Sequence, residues 1–157
     1  TSVCAHTFAA VERNDLVWVN LNLPAGSPAP HDWLIAAPTA DRTQRALQSF
    51  VLHADTETVL TGVQRYPAFD SGLSADPSVA LRRSQRAVRL SWSEDGQAIQ
   101  LHLLLQPART DKTIVHAVLE ARTDAMALAQ WPARHQTSMK RLRRRLIDAG
   151  RVSDVPR

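Results

Sequence analysis

Residues 55–69 read DTETVLTGVQRYPAF, and their polar side chains recur at a spacing that chemistry can use. Thr58, Thr61 and Gln64 stand at every third position, so a helix would place them on one face, with Phe69 beyond. Such a face either lines a site or is what remains of one. Just upstream, His53, Asp55 and Glu57 are spaced by two, which alternates across a strand-to-helix junction and gives no common focus. Cys4 and His6 form one C-x-H pair with no second Cys/His pair to complete a cluster, so coincidence is the expectation. His102, His116 and Arg89 fall in one row of a sheet face once the strands below are laid out. The arginine repels a cation and no carboxylate is placed to complete a ligand set, so that row reads as a partly solvated polar face. Ser, His and Asp occur without a nucleophile elbow, and the 5 glycines supply no phosphate loop.

The elements that must position these residues can be read from pattern. Phe8 to Arg13 and Leu16 to Asn20 flank Asn14–Asp15 as two short extended runs, a hairpin signal. LNLPAGSPAPHDW is a linker or surface loop, and FDSGLSADPS a second irregular stretch. Arg45 to Ala54 reads as a strand. Asp55 to about Gln64 suits a short helix, with Asp55 as N-cap and Pro67 blocking continuation. Asp95–Gly96 is a two-residue hairpin turn that pairs Trp92 with Ile99, Leu90 with Leu101 and Val88 with Leu103. A second connection, Pro107 to Asp111, would pair Leu105 with Thr113, Leu103 with Val115 and Leu101 with Ala117. Both turns bring apolar residues opposite apolar residues, which predicts a three-stranded meander, since a slip of one would expose the whole set. Thr123 or Asp124 caps a short helix through Gln130, and Pro132 separates it from a longer one ending near Gly150. Met139, Leu142, Leu146 and Ala149 form the apolar stripe of that longer helix. The fold class implied is α+β, a curved antiparallel β-sheet packed on a long C-terminal helix.

Composition fits that reading. A chain of 157 residues can bury a proper core, and 44% hydrophobic with 22% charged residues is ordinary for a soluble domain. No apolar run approaches a membrane span, no secretory signal opens the sequence, and one cysteine excludes an internal disulfide; a cytoplasmic location is expected. Starting at Thr1, the sequence reads as trimmed or as a fragment. The net charge of +4 is concentrated in Arg134, Lys140, Arg141, Arg143, Arg144, Arg145 and Arg151. Without aromatic interleaving or a nucleic-acid motif, that cluster reads as a solvated helix face first and a partner surface second.

FAAVERNDLVWVNL resembles the stretch that closes the Rieske domain of Rieske non-heme iron oxygenases. LHLLLQPARTDKTIVHAVLEA resembles a late strand pair of their catalytic domain, and RTDAMALAQW followed by MKRLRRRLIDAG resembles their C-terminal helices. The pieces keep the family's order. The resemblance implies a helix-grip domain, a [2Fe–2S] cluster held by two Cys and two His, and a mononuclear iron held by two His and one carboxylate. On the family's iron helix, Glu-Asn-x-x-Asp-x-x-His-x-x-x-x-His, Glu57 matches, Thr58 and Thr61 replace Asn and Asp, and Gln64 and Phe69 stand where the histidines would be. Asp124 corresponds to the later iron carboxylate. One carboxylate and an amide do not make a competent iron(II) site. The residues alone leave two readings open, a vestigial site or an ordinary amphipathic helix, and both predict no bound iron.

The resemblance divides the chain into a remnant hairpin (1–22) resembling the end of a Rieske domain, a Pro-rich linker (23–40), a helix-grip-like domain (41–150) and a tail (151–157). It implies a metal-free relative of the oxygenase catalytic domain, binding a small apolar molecule or serving as accessory subunit to an oxygenase or reductase. No catalytic, cofactor or metal residue is assigned. The alternatives are a component or fragment of an active Rieske-type aromatic-ring or demethylating oxygenase, with mononuclear iron and a [2Fe–2S] cluster from another chain or a missing segment, and a basic-helix binder of nucleic acid or an anionic surface.

Overall fold

The computed structural model describes residues 8–13, 16–24, 38–64, 66, 78–82, 86–124 and 126–153. The chain forms two compact units, Thr1–Ala37 and Pro38–Arg157. Within the first, β1 (Phe8–Arg13) and β2 (Leu16–Pro24) pair antiparallel as a two-stranded hairpin. Their Asn14–Asp15 connection lies outside the described residues, as do Cys4, His6, the Pro-rich stretch 25–37, Phe69 and residues 154–157.

The second unit is a five-stranded antiparallel sheet in the order β3-β7-β6-β5-β4, with α1 (Thr56–Gln64) and α2 (Ala127–Ser153). Its strands are β3 (Arg42–Leu52), β4 (Ser78–Arg82), β5 (Ala87–Glu94), β6 (Gln97–Arg109) and β7 (Lys112–Arg122). One sheet face is apolar because alternate side chains share it: Val88, Leu90 and Trp92, then Ile99, Leu101, Leu103 and Leu105, then Val115, Ala117, Leu119 and Ala121 are all buried. A curved antiparallel sheet packed on a long C-terminal helix is the fold.

The β5–β6 turn forms as its sequence demands. Asp95 and Gly96 take φ of 51° and 74°, the paired positive angles of a type I′ turn, and Trp92–Ile99, Leu90–Leu101 and Val88–Leu103 face one another. The next hairpin differs from expectation by two residues. β6 runs on through Pro107 to Arg109, with an irregularity between them, so Leu105 faces Val115, Leu103 faces Ala117 and Leu101 faces Leu119. Pro107 is tolerated beside that irregularity, and a slip of two keeps every side chain on its own face.

Asp55 caps α1 as expected: its Oδ1 accepts the Thr58 backbone N–H at 2.9 Å and its Oδ2 the Thr58 hydroxyl at 2.6 Å. Those bonds hold the Asp55 carboxyl below its usual range, the Thr58 side chain contributing most. Val59, Leu60 and Val63 form the buried face of α1. Gly62 lets α1 approach α2, since a Cβ there would stand 2.9 Å from Leu142 Cδ1.

The C-terminal segment corrects the sequence reading, because Ala127–Ser153 is one continuous helix with Pro132 inside it. Proline lacks the N–H that the Leu128 carbonyl would accept four residues back. Arg45 of β3 supplies a substitute, its Nη1 donating to Leu128 O at 2.9 Å. Replacing Arg45 by Met should therefore cost about 1 kcal/mol, and distinctly less in a Pro132→Ala background, where the restored backbone N–H donates instead. Equal losses in both backgrounds, measured by urea unfolding, would separate Arg45 from the proline.

Candidate functional site in the grip between sheet and helix

With Pro132 inside α2, the buried stripe of the helix begins at Trp131, about two turns before Met139, where the sequence suggested it starts. Trp131, His135, Ser138, Met139 and Leu142 are all buried, at the spacing of one helical face. Trp131, His135 and Met139 have no exposed surface. A histidine inside an apolar stripe must satisfy both ring nitrogens. His135 Nε2 lies 3.0 Å from the Gln48 carbonyl, which can only accept, so Nε2 carries the proton. Gln48 sits where the β3–β7 register shifts between Leu47 and Phe50, and such a bulge disrupts the ladder locally. Nδ1 is then the acceptor, and the Tyr66 hydroxyl donates to it at 2.6 Å.

Burial sets the electrostatics of this pair. Desolvation pulls the His135 pKa down to about 4, only partly opposed by the bond to Gln48, so the ring is neutral at pH 7. Desolvation likewise raises the Tyr66 phenol above its ordinary value, keeping it protonated.

The pair is packed among aromatic rings. Tyr66 lies nearly parallel to His135 and to Trp131, with centroids 6.0 Å and 6.4 Å away. Trp131 meets Trp92 at 4.6 Å, and Phe50 points edge-on at His135 from 5.7 Å. At the open end of this row Glu94 accepts the Trp131 indole N–H at 3.0 Å and a guanidinium N–H of Arg134. Burial would raise the Glu94 carboxyl, but those two bonds, the Arg134 charge and a further bond from Trp92 together hold the group below its usual range. The Arg134 guanidinium also lies over the Trp131 ring, 5.6 Å from its centroid. Chemically, the interior offers a neutral imidazole–phenol pair in an apolar aromatic box.

Among the described residues, those singled out from sequence as iron-site positions lie on α1 and just after β7. Glu57, Thr58 and Thr61 are exposed on α1, and Gln64 is half-buried. Thr58 is spent on the Asp55 cap, and the Thr61 hydroxyl donates to the Glu57 carbonyl at 3.0 Å. Asp124 is exposed and takes the Arg122 side chain at 3.2 Å, which holds its carboxyl below the usual range. No group of three His, Cys, Asp or Glu suited to a metal ion occurs among the described residues. These donors do not fit a mononuclear iron.

The histidine row on the opposite sheet face is also rearranged. Arg89 faces His102, but His102 faces Val118, and His116 faces Leu104 one step along. A carboxylate is present after all: Glu120 Oε2 lies 3.7 Å from His102 Nε2. It is already engaged by Arg42 Nε at 2.8 Å and Gln44 Nε2 at 2.7 Å. Desolvation lowers the pKa of both histidines, and His116 is held between Ser49 and Gln106 at 2.8 Å and 2.9 Å. On α2, Lys140, Arg141, Arg143, Arg144 and Arg145 are exposed, and Arg143 reaches the Val51 carbonyl at 2.9 Å. No helix among the described residues is long and apolar enough to cross a membrane.

No protein-family model matches the sequence, and no curated protein matches it. Solved structures do resemble it. NdmB of Pseudomonas putida CBB5 has a TM-score of 0.55 at 13% identity, covering 85% of this chain and 49% of that one. The NdmA QL mutant with theobromine, also from Pseudomonas putida CBB5, has a TM-score of 0.55 at 12% identity, covering 87% of this chain and 51% of that one. A looser likeness, with a TM-score of 0.49 at 11% identity over 69% of this chain and 98% of the other, is to a START superfamily protein from Mycobacterium smegmatis. The class that the sheet, the long helix and the two Pseudomonas structures define is the helix-grip fold. This chain spans about half the length of the two Pseudomonas proteins. Identities this low carry the fold and none of the chemistry.

Proposed function

We propose that the chain is a metal-free helix-grip module that binds a small, mostly apolar molecule between the sheet and α2. The observation that carries this reading is the Tyr66–His135 pair, a polar handle set among Trp92, Trp131 and Phe50. Apolar walls with few, well-placed polar groups are what small-molecule sites in proteins have in common. A ligand with one hydrogen-bonding edge would exchange with the Tyr66 hydroxyl for His135 Nδ1. Gln48 would keep the ring's tautomer fixed while it did so.

The test is a titration of the purified protein with anilinonaphthalene sulfonate, followed by energy transfer from tryptophan and by displacement with theobromine and caffeine. Single-site binding that weakens roughly tenfold in Tyr66→Phe, equivalent to about 1.4 kcal/mol, is the expected result. Absence of saturable dye binding in the native protein would contradict the module reading. So would near-stoichiometric iron in the purified protein that is lost in Asp124→Ala, which would favour an active oxygenase component.

A further inference from the structure

Four oxidisable or proton-accepting rings stand in line inside the second unit. From Trp92 to Trp131 the centroids are 4.6 Å apart, from Trp131 to Tyr66 6.4 Å, and from Tyr66 to His135 6.0 Å. Each step is an ordinary aromatic contact, so no non-aromatic residue need carry an electron between them. Trp92 is the outermost, at 7% exposure, and the other three are fully buried. The line ends at a phenol whose hydroxyl donates to an unprotonated imidazole nitrogen at 2.6 Å. Losing an electron makes a phenol strongly acidic, so a phenol already bonded to a base can be oxidised without releasing its proton to water. At the other end Glu94 accepts the Trp131 indole N–H, which favours electron removal from that ring, while the Arg134 cation over its face opposes it.

From this geometry we infer that Tyr66 and His135 form a proton-coupled redox site, reached from the surface through Trp92 and Trp131. An outer-sphere one-electron oxidant takes an electron from Trp92. The vacancy passes through Trp131 to Tyr66. The Tyr66 O–H bond then breaks, its proton moves to His135 Nδ1, and the product is a neutral tyrosyl radical beside an imidazolium that keeps its Nε2–H bond to Gln48. One electron has left the protein and no proton has left the site. A one-electron donor at Trp92 reverses every step. The site is thus a store for a single oxidising equivalent, and it does not rest on the ligand reading above.

Tyr66 is the chain's one tyrosine, so any tyrosyl signal is its own. Flash oxidation of the full chain by a photo-oxidised ruthenium tris-diimine complex, in a Trp18→Phe, Trp33→Phe background, leaves Trp92 and Trp131 as the tryptophans. The expected result is a tryptophan radical that decays as a tyrosyl radical grows, at a rate independent of buffer concentration. Tyr66→Phe should lengthen the tryptophan radical's life roughly tenfold or more. His135→Gln should leave the tryptophan radical in place or make tyrosyl growth depend on buffer base. Trp131→Phe should slow the transfer while Trp92 still oxidises. The inference is overturned if no tyrosyl radical forms, or if it forms equally fast in His135→Gln. A tyrosyl radical whose growth in the parent chain follows buffer concentration overturns it too, because the proton would then be leaving for water.

Discussion

Lowering the pH from 7 to 4 should remove about 3 kcal/mol of stability through His135 alone. In the folded protein its pKa is pulled down to about 4 by desolvation, against an ordinary 6.5. Between those values the unfolded chain binds a proton that the folded chain refuses, so unfolding gains as pH falls. The stabilisation is fully present above pH 6.5 and is lost as pH drops through 4. His102 and His116, both also lowered by desolvation, add in the same direction. The carboxylates held low, Asp55 and Glu94 among them, lose their contribution only in more acid solution. Urea unfolding of the parent chain and of His135→Gln at pH 7, 5.5 and 4 isolates the histidine's contribution. The parent should lose substantially more stability than the variant over that range. Parallel losses would mean that His135 is solvated and titrates normally.

Truncating Trp131 to Ala should cost about 3–5 kcal/mol, the usual toll for a large aromatic side chain removed from a core. Trp131 is the largest fully buried side chain among the described residues and touches both Trp92 and Tyr66, so the void cannot close from one side. The change also withdraws one of the hydrogen bonds that Glu94 accepts, the Trp131 indole N–H. Trp131→Phe keeps most of the volume and should cost distinctly less. Unfolding midpoints of the two variants check this, and equal, small losses would show that the ring is not packed as described.

Much of the sheet could be read from its turns. Asp95–Gly96 admits one turn type, and that turn alone set the β5–β6 register. Pro107 misled because proline usually ends a strand, whereas here β6 absorbs it at an irregularity and turns two residues later. Pro132 misled more seriously. Read as a helix break, it hid the i, i+4, i+7 run of Trp131, His135 and Ser138 that faces the sheet. What lets the helix continue includes a guanidinium from β3, a partner 83 residues away that no local pattern contains. Tyr66 escaped notice for a related reason: it lies beyond the end of α1, and its importance comes from a histidine 69 residues on. The polar positions of α1 were legible as a helix face, but which way that face turns is decided by Val59, Leu60 and Val63 packing inward.

The Tyr66–His135–Gln48 arrangement is tested most directly by nitrogen-15 NMR of the histidine side chains, with and without anilinonaphthalene sulfonate. His135 should give a neutral Nε2–H tautomer whose proton exchanges slowly and whose shifts stay fixed from pH 8 to 5.5. Its Nδ1 signal and the Trp131 indole signal should move together as dye is added. A ring that titrates near 6.5, exchanges freely with water and ignores the dye would contradict both the buried pair and the binding site built on it.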